Sequence, residues 1–547
     1  MDYLRKHWPQ FALFGILVAS FVLMLFSARQ DSLTVDEKVH ISAGYLHVWE
    51  GDYTFNAEHP PLLNDIGGLF AKIAKPNLPA MSLSDFKGED QWQFGDLFFY
   101  QSGNEVEKII FWARLPFILL TLGLIYLVFL WAKTLFGEKA GILAAMLTAF
   151  CPNVLAHGRL AATDMGVAFF FVLTIWLLRK YIFKSNWQNA VLLGLSLGLV
   201  ILAKFSGLLI LPLVLVGIAV VWFRGIIAVG KPIASSAGQL AGQFLIIIII
   251  PLILIWGVYL FSMRSEMLNL SQTYELSKTF SSQTISDTAL KWFLVPFDKF
   301  AQGYQLVKEH NLSGHWAYLN GQVSSRGWWY YFPYVLWYKL TLPILILFVL
   351  SLFFWRRSKE EFFLIIPPLF FLGLSMTSKI DIGIRHILLV LPFLFIFISR
   401  LANTKNLILR PLVALLVIAQ IVVGILAYPN YIAYFNQIAG GSKNGLKHLA
   451  DSNLDWNQNM IRFAQYAQEN DIKNIYQLCW DHDSFAYYGI ENEVLPASSV
   501  QGIVVICAEQ LKVTPEGFDL SWVTKNPPDA IIGHTMYIWR FDKKNVK

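Results

Sequence analysis

The sequence predicts an α-helical polytopic membrane protein that ends in a small α/β domain, and three observations predict it. The 547 residues are 56% hydrophobic and only 15% charged, with a mean hydropathy of +0.50, whereas an ordinary soluble domain carries about 25% charged residues. Apolar runs recur along the first 428 positions, many long enough for a bilayer core of about 30 Å, which takes roughly 20 helical residues. Beyond about position 456 the pattern changes to one amphipathic helical stretch and several short β-rich runs. A soluble enzyme, a disordered chain and a secreted disulfide scaffold are excluded. Cys151, Cys479 and Cys507 are the three cysteines and allow at most one bridge, Cys479 with Cys507. The net charge of +6 is scattered between apolar runs, so it reads as a topology signal and not as a nucleic-acid surface.

The elements follow in order. Residues 8–28 come after Arg5 and Lys6 and lack a small-residue cleavage site, so they form an uncleaved first span. Further apolar runs lie near 110–132, 140–156, 163–178, 188–203, 206–223, 241–262, 332–354, 362–377, 386–399 and 411–428, about eleven transmembrane helices with the first. Cytoplasmic loops hold an excess of Lys and Arg. With the N-terminus inside, every inward turn is basic: Lys133 and Lys139; Arg179, Lys180 and Lys184; Arg224 and Lys231; Arg356, Arg357 and Lys359; Arg400, Lys405 and Arg410. The short outward turns carry only Arg159, Lys204, Lys379 and Arg385. The C-terminus is therefore expected outside, together with the loops 29–109 and 263–331. Residues 1–428 form the transmembrane module and 429–547 an extracytoplasmic α/β domain, with a helix over 456–470 and strands within 474–480, 502–508 and 529–541. No 20–50-residue repeat and no low-complexity tract is present.

Several residues stand where chemistry is done. Thr34-Val-Asp36-Glu37 opens an amphipathic stretch just beyond the first span. Its spacing fits a helix capping box, and a carboxylate at the membrane surface also fits a proton acceptor for an incoming hydroxyl. Glu58-His59-Pro60-Pro61 sets a charged pair in a proline-fixed turn. Asp164 lies at the outer end of a span, where an acid is costly and marks a functional site, or caps a helix or pairs with Arg159. Arg114, Lys204, Lys339 and Arg385 are cations at outer span ends. They either snorkel to headgroups or together bind a lipid phosphate. The loop 263–331 adds His310, His315 and the aromatic run Trp328-Trp329-Tyr330-Tyr331, an interfacial belt.

These motifs resemble a known family. Asp36-Glu37, Glu58-His-Pro-Pro-Leu, Trp112-Ala-Arg114-Leu-Pro and Arg159-Leu-Ala-Ala-Thr-Asp164, in that order, are similar to the protein O-mannosyltransferase and lipid A aminoarabinose transferase group of C-type membrane glycosyltransferases. Gly314-His-Trp-Ala-Tyr-Leu-Asn-Gly, Arg385-His386, the stretch Tyr428–Asn436 and Asp451-Ser-Asn-Leu-Asp-Trp-Asn-Gln resemble the bacterial phospholipid-carrier-dependent members. The resemblance implies the C-type fold and a bacterial inner-membrane enzyme. It also implies inverting transfer of a sugar from a polyprenyl-phosphate donor to a lipid, glycan or protein hydroxyl on the non-cytoplasmic face, without a nucleotide cofactor or a nucleic-acid partner. It makes Asp36 the catalytic first-loop aspartate, with Glu37 beside it and Asp164 as a second acid of the cavity. Arg114, His59, Lys204 and Arg385 would contact the donor phosphate. A divalent metal would sit at Glu58, with His315 as a second ligand; the residue after the glutamate is a lysine in the aminoarabinose transferase and His59 here.

Two other classes compete. A transporter or flippase of lipid-linked sugars would place charges near mid-membrane and pair broken helices in two halves. A silent scaffold would use Asp451, Asp455, Trp456 and Gln458 to meet a partner, or to cap the first helix of the outer domain.

Overall fold

The computed structural model describes residues 2–80, 90–227, 233–270, 273–277, 283–355, 358–481, 483–514 and 517–541. Lys231, Arg356 and Arg357 of the expected inward turns lie outside the described residues. Each of the eleven apolar runs holds helix, but they are not eleven equal spans. Among the described residues six single helices are long and apolar enough to cross a membrane: His7–Ala28, Val106–Phe136, Thr163–Phe183, Phe205–Arg224, Gly238–Ser262 and Leu409–Leu426. Tyr331–Lys339 and Leu342–Leu352 make a seventh as a pair bent by 111°. Trp187–Ala203, Phe362–Ser375 and Val390–Asn403 are shorter, as is Glu138–Ala149. The local cause is often proline: the run 140–156 breaks at Cys151, held extended before Pro152, which starts the separate helix Pro152–His157. The chain is an integral membrane protein, and its polytopic helical architecture is the expected one.

Most of the helices share one large apolar core, and His7–Ala28 packs through two smaller clusters. Trp131 packs edge-on to Phe393 at 5.6 Å, and Phe171 meets Phe393 at 6.1 Å and Phe371 at 5.7 Å. At one end of the bundle the basic turns gather: Arg179 pairs with Glu360 at 2.8 Å, Arg400 with Glu361 at 3.2 Å and Lys133 with Glu138 at 2.9 Å. The opposite end carries the loop helices Val35–Tyr45 and Pro61–Ala71. They touch backbone to backbone at Gly44 and Gly68; a Cβ on Gly44 would lie 1.8 Å from the Asn64 carbonyl oxygen.

Residues 429–459 run irregularly across this end, burying Tyr431, Ile432 and Trp456 against Met24, Ala28 and Leu155. The α/β fold follows. Its helix is Met460–Glu469, shorter than the expected 456–470 because the backbone at 456–458 bonds to residues 32 and 35 instead. The sheet has five strands in the order Glu491–Val494, Asn474–Leu478, Gly502–Cys507, Met536–Phe541 and Ala530–Ile532. The first three are parallel and the last two antiparallel to their neighbours. The run 529–541 is thus two strands, and Glu491–Val494 was not foreseen: it is a polar edge strand without the β-rich composition that marked the others. Cys479 and Cys507 are bonded, joining the ends of two adjacent parallel strands.

Candidate active site

The helix Val35–Tyr45 begins with the expected capping box, in which Glu37 accepts from the Thr34 backbone N–H at 3.1 Å and from its hydroxyl at 2.9 Å. Glu37 also accepts from Arg114 Nε at 2.8 Å, Arg114 Nη2 at 2.6 Å and the Ala161 N–H at 2.8 Å. Arg114 spends its remaining donors on the carbonyls of Ala28, Asp31 and Ser32. Both side chains are 0% exposed. Burial pushes the Glu37 carboxyl up, but Arg114 and these hydrogen bonds outweigh it and leave the group below its usual range. The expected roles of Glu37 as a catalytic acid and Arg114 as a phosphate ligand are therefore corrected: together they clamp the loop to the bundle, with no free edge toward a substrate.

Asp36 is not sealed in this way, and its side chain is 25% exposed. Its Oδ2 accepts from Arg385 Nη1, and its Oδ1 accepts from the Trp456 indole at 3.3 Å. Burial raises this carboxyl, and Arg385, helped by His40, more than reverses the effect, so it stays below the usual carboxylate value. Arg385 also lies 3.8 Å from Asp164, donates through Nε to Ser452 at 3.0 Å and stacks 4.2 Å over the Trp456 ring. Asp164 accepts from Lys204 Nζ at 2.5 Å. The result is a row of alternating charge, Asp36, Arg385, Asp164, Lys204, built from residues up to 349 positions apart. Asp164 does not pair with Arg159, which binds Asp31 instead.

Around this row stand three imidazoles. The His40 and His59 rings meet edge-on at 4.7 Å. Burial holds both, and His386, below the ordinary histidine value. The Nδ1 of His40 and His59 and the Nε2 of His386 have no hydrogen-bond partner among the described residues. Glu58 accepts from Gln91 at 2.8 Å, while His315 lies against His310 at 3.3 Å and 4.0 Å from Asp451. Among the described residues no group of three or more His, Cys, Asp and Glu side chains is placed to hold a metal ion. Lys339 is fully buried and donates to the carbonyls of Ile432 at 2.8 Å and Asn453 at 2.6 Å. It latches residues 429–459 and is not part of an anion site.

Two contributors had no sequence signal for this role: Ser452, which orients Arg385, and Trp456, which touches both Asp36 and Arg385. The polar run Asp451–Gln458 marked the segment but not its reach. The helix cap expected of Asp455 is absent; Met460–Glu469 follows Asn459, and Asp455 accepts from the Asn457 and Ala508 backbones.

Residues 16–268 match the family model for dolichyl-phosphate-mannose-protein mannosyltransferase. This part of the chain is similar to that family. The mannosyltransferase-like region contains Asp36, Glu37, Arg114, Asp164 and Lys204, whereas Arg385, Ser452 and Trp456 lie beyond it. No curated protein matches the chain. Among solved structures, ArnT from Cupriavidus metallidurans bound to undecaprenyl phosphate aligns at 13% identity and TM-score 0.48, covering 96% of this chain and 97% of its own. The S. cerevisiae protein O-mannosyltransferase Pmt1-Pmt2 complex bound to the sugar donor aligns at 17% identity and TM-score 0.36, over 47% of this chain and 34% of that one. The Archaeoglobus fulgidus oligosaccharyltransferase aligns at 12% identity and TM-score 0.43, over 91% and 65%.

Proposed function

We propose that this chain is a glycosyltransferase that moves a sugar from a polyprenyl-phosphate carrier to a hydroxyl acceptor, with inversion, outside the cytoplasm of a bacterial inner membrane. The observation that carries the proposal is the row Asp36, Arg385, Asp164, Lys204 at one end of a bundle whose mannosyltransferase-like region supplies three of the four. The basic turns gather at the other end, which supports a cytoplasmic placement for that end. The four charged groups of the row sit at helix ends and not at mid-span, which disfavours the transporter reading.

The reaction needs a base and an electrostatic sink. Asp36, ionised and partly open, takes the proton of the acceptor hydroxyl as that oxygen bonds to the anomeric carbon. The bond from that carbon to the phosphate oxygen breaks, and its electron pair leaves with the polyprenyl phosphate. Arg385 and Lys204 stabilise the charge that grows on the leaving group. In the resting site both cations are held by carboxylates. An arriving phosphate competes for them, loosens the grip of Arg385 on Asp36 and makes that carboxylate a better base.

The test is release of polyprenyl phosphate from a panel of purified polyprenyl-phosphate sugars in detergent, with cell-envelope extract as acceptor. One donor is expected to be consumed by the wild type and spared by Asp36→Asn and Arg385→Ala. Consumption of no donor by the wild type, or full activity in both variants, overturns the proposal.

A further inference from the structure

The mannosyltransferase-like region does not complete its own site. The backbone of residues 456–460 is tied to the start of the helix that carries Asp36. The Ser32 N–H donates to the Gln458 carbonyl at 3.1 Å and the Val35 N–H to the Trp456 carbonyl at 3.2 Å. The Ser32 hydroxyl donates to the Asn457 carbonyl at 2.7 Å and accepts from the Met460 N–H at 3.0 Å. Trp456 is thereby fixed relative to the residue immediately before Asp36. Its ring is buried, within 5.9 Å of the His157 ring, and the Trp456 N–H donates to Gln458 at 2.6 Å. One side chain so held makes two contacts with the reactive groups: its indole N–H to Asp36 Oδ1 and its face beneath the Arg385 guanidinium.

Resting on the function proposed above, we propose that Trp456 is a positioning residue for catalysis, through which the segment beyond the mannosyltransferase-like region keeps Asp36 and Arg385 in register. Asp36 is gripped at both oxygens, by Arg385 on one and Trp456 on the other. When a phosphate draws the guanidinium away, the indole N–H becomes the carboxylate's remaining fixed donor. It keeps the oxygens aimed at the acceptor hydroxyl. The flat indole face meanwhile lets the guanidinium slide without losing its stacking partner. Orientation of a reacting group is worth large factors in rate, so the effect belongs in kcat.

The experiment uses the full-length protein in detergent with the donor that the wild type consumes. Replacing Trp456 by its benzothienyl analogue keeps the ring and removes only the N–H; kcat is expected to fall about tenfold, the scale of one hydrogen bond to a charged group. The donor KM is expected within about twofold of the wild type, with an unchanged melting temperature. Trp456→Ala, which removes the face as well, is expected to raise the donor KM too. Wild-type kcat in the benzothienyl protein overturns the positioning role and leaves the glycosyltransferase reading intact. If the wild type consumes no donor, the function fails and the contact is tested without turnover. In protein labelled with 15N-tryptophan, the Trp456 indole proton signal, assigned by its loss in Trp456→Phe, is expected to shift in Asp36→Asn. An unmoved signal overturns the inference.

Discussion

Asp36 and Glu37 are neighbours in sequence and opposites in circumstance. On a helix, successive side chains point about 100° apart, and here that turn separates a fully buried carboxylate from one that is 25% exposed. Glu37 meets donors from Thr34, Arg114 and Ala161 and is sealed, whereas Asp36 meets one guanidinium and one indole and keeps an open edge. Each acid has its own arginine. The comparison teaches that an acid–arginine pair at a membrane surface has no fixed meaning: saturation of the donors makes Arg114 a clamp, and incomplete use leaves Arg385 available to an anion. The largest expected effect separates the two. Asp36→Asn should cost about 10²–10⁴-fold in transfer rate, the usual worth of a general base, with melting in detergent unchanged. A matching fall in melting temperature would erase the distinction.

The converse effect falls on stability. Glu37→Leu strands a buried guanidinium and should cost about 3–5 kcal/mol, since breaking one side of a buried pair leaves an uncompensated charge. Arg114→Met should do the same from the other side. The double variant Glu37→Leu with Arg114→Met should recover part of the loss, because no charge is left stranded. Thermal melting of the four proteins checks this. Additive losses would mean that the pair is not coupled. A smaller effect sharpens the open side. Arg385→Lys keeps the charge but loses the planar fork that serves Asp36, Ser452 and the Trp456 face together. It should weaken donor binding about tenfold, read as the donor KM, and Lys204→Met should act in the same direction.

Much of this was legible in the sequence, for physical reasons that differ between regions. The apolar runs predicted helices because each must bury its backbone polar groups in lipid, and the alternation of basic turns predicted which helix ends would gather. That alternation put Asp36, Asp164, Arg114 and Arg385 on one side of the membrane, but did not say which of them would touch. The Thr34–Glu37 capping box was also legible, being local. What was not legible is which cation each acid would choose. Arg114, Lys204, Lys339 and Arg385 look alike as outer cations, yet two are consumed by backbone carbonyls or Glu37 and two pair with Asp36 and Asp164. Backbone carbonyls left free by irregular segments took Lys339 and most of Arg114, and nothing in a linear spacing reports where those carbonyls lie. Trp456 reaches Asp36 across 420 positions, through backbone pairing that no side-chain pattern records.

The smallest expected effect concerns pH, and it sets the clamp against the segment that carries Trp456. Asp455 is buried within that segment. Burial pushes its carboxyl up to about 7, with the Asn457 and Ala508 N–H groups pulling the other way. A carboxyl whose folded value lies above its unfolded value of about 3.9 binds its proton more tightly when folded. Its stabilising contribution is full below about pH 4 and is lost as pH rises through about 7. Glu37 has the opposite sign: held below its usual value, it stabilises above about pH 4.3 and loses that contribution on acidification. Melting temperature should therefore fall by a few degrees from pH 6 to pH 8. Asp455→Asn should shrink this alkaline limb, which Asp381, also pushed up to about 7 by burial, shares, and leave the acid limb, set by Glu37 and Asp36, in place. An alkaline limb undiminished by Asp455→Asn would mean that the segment is not held by a protonated Asp455, and that Trp456 owes its position to the pairing with Ser32 and Val35.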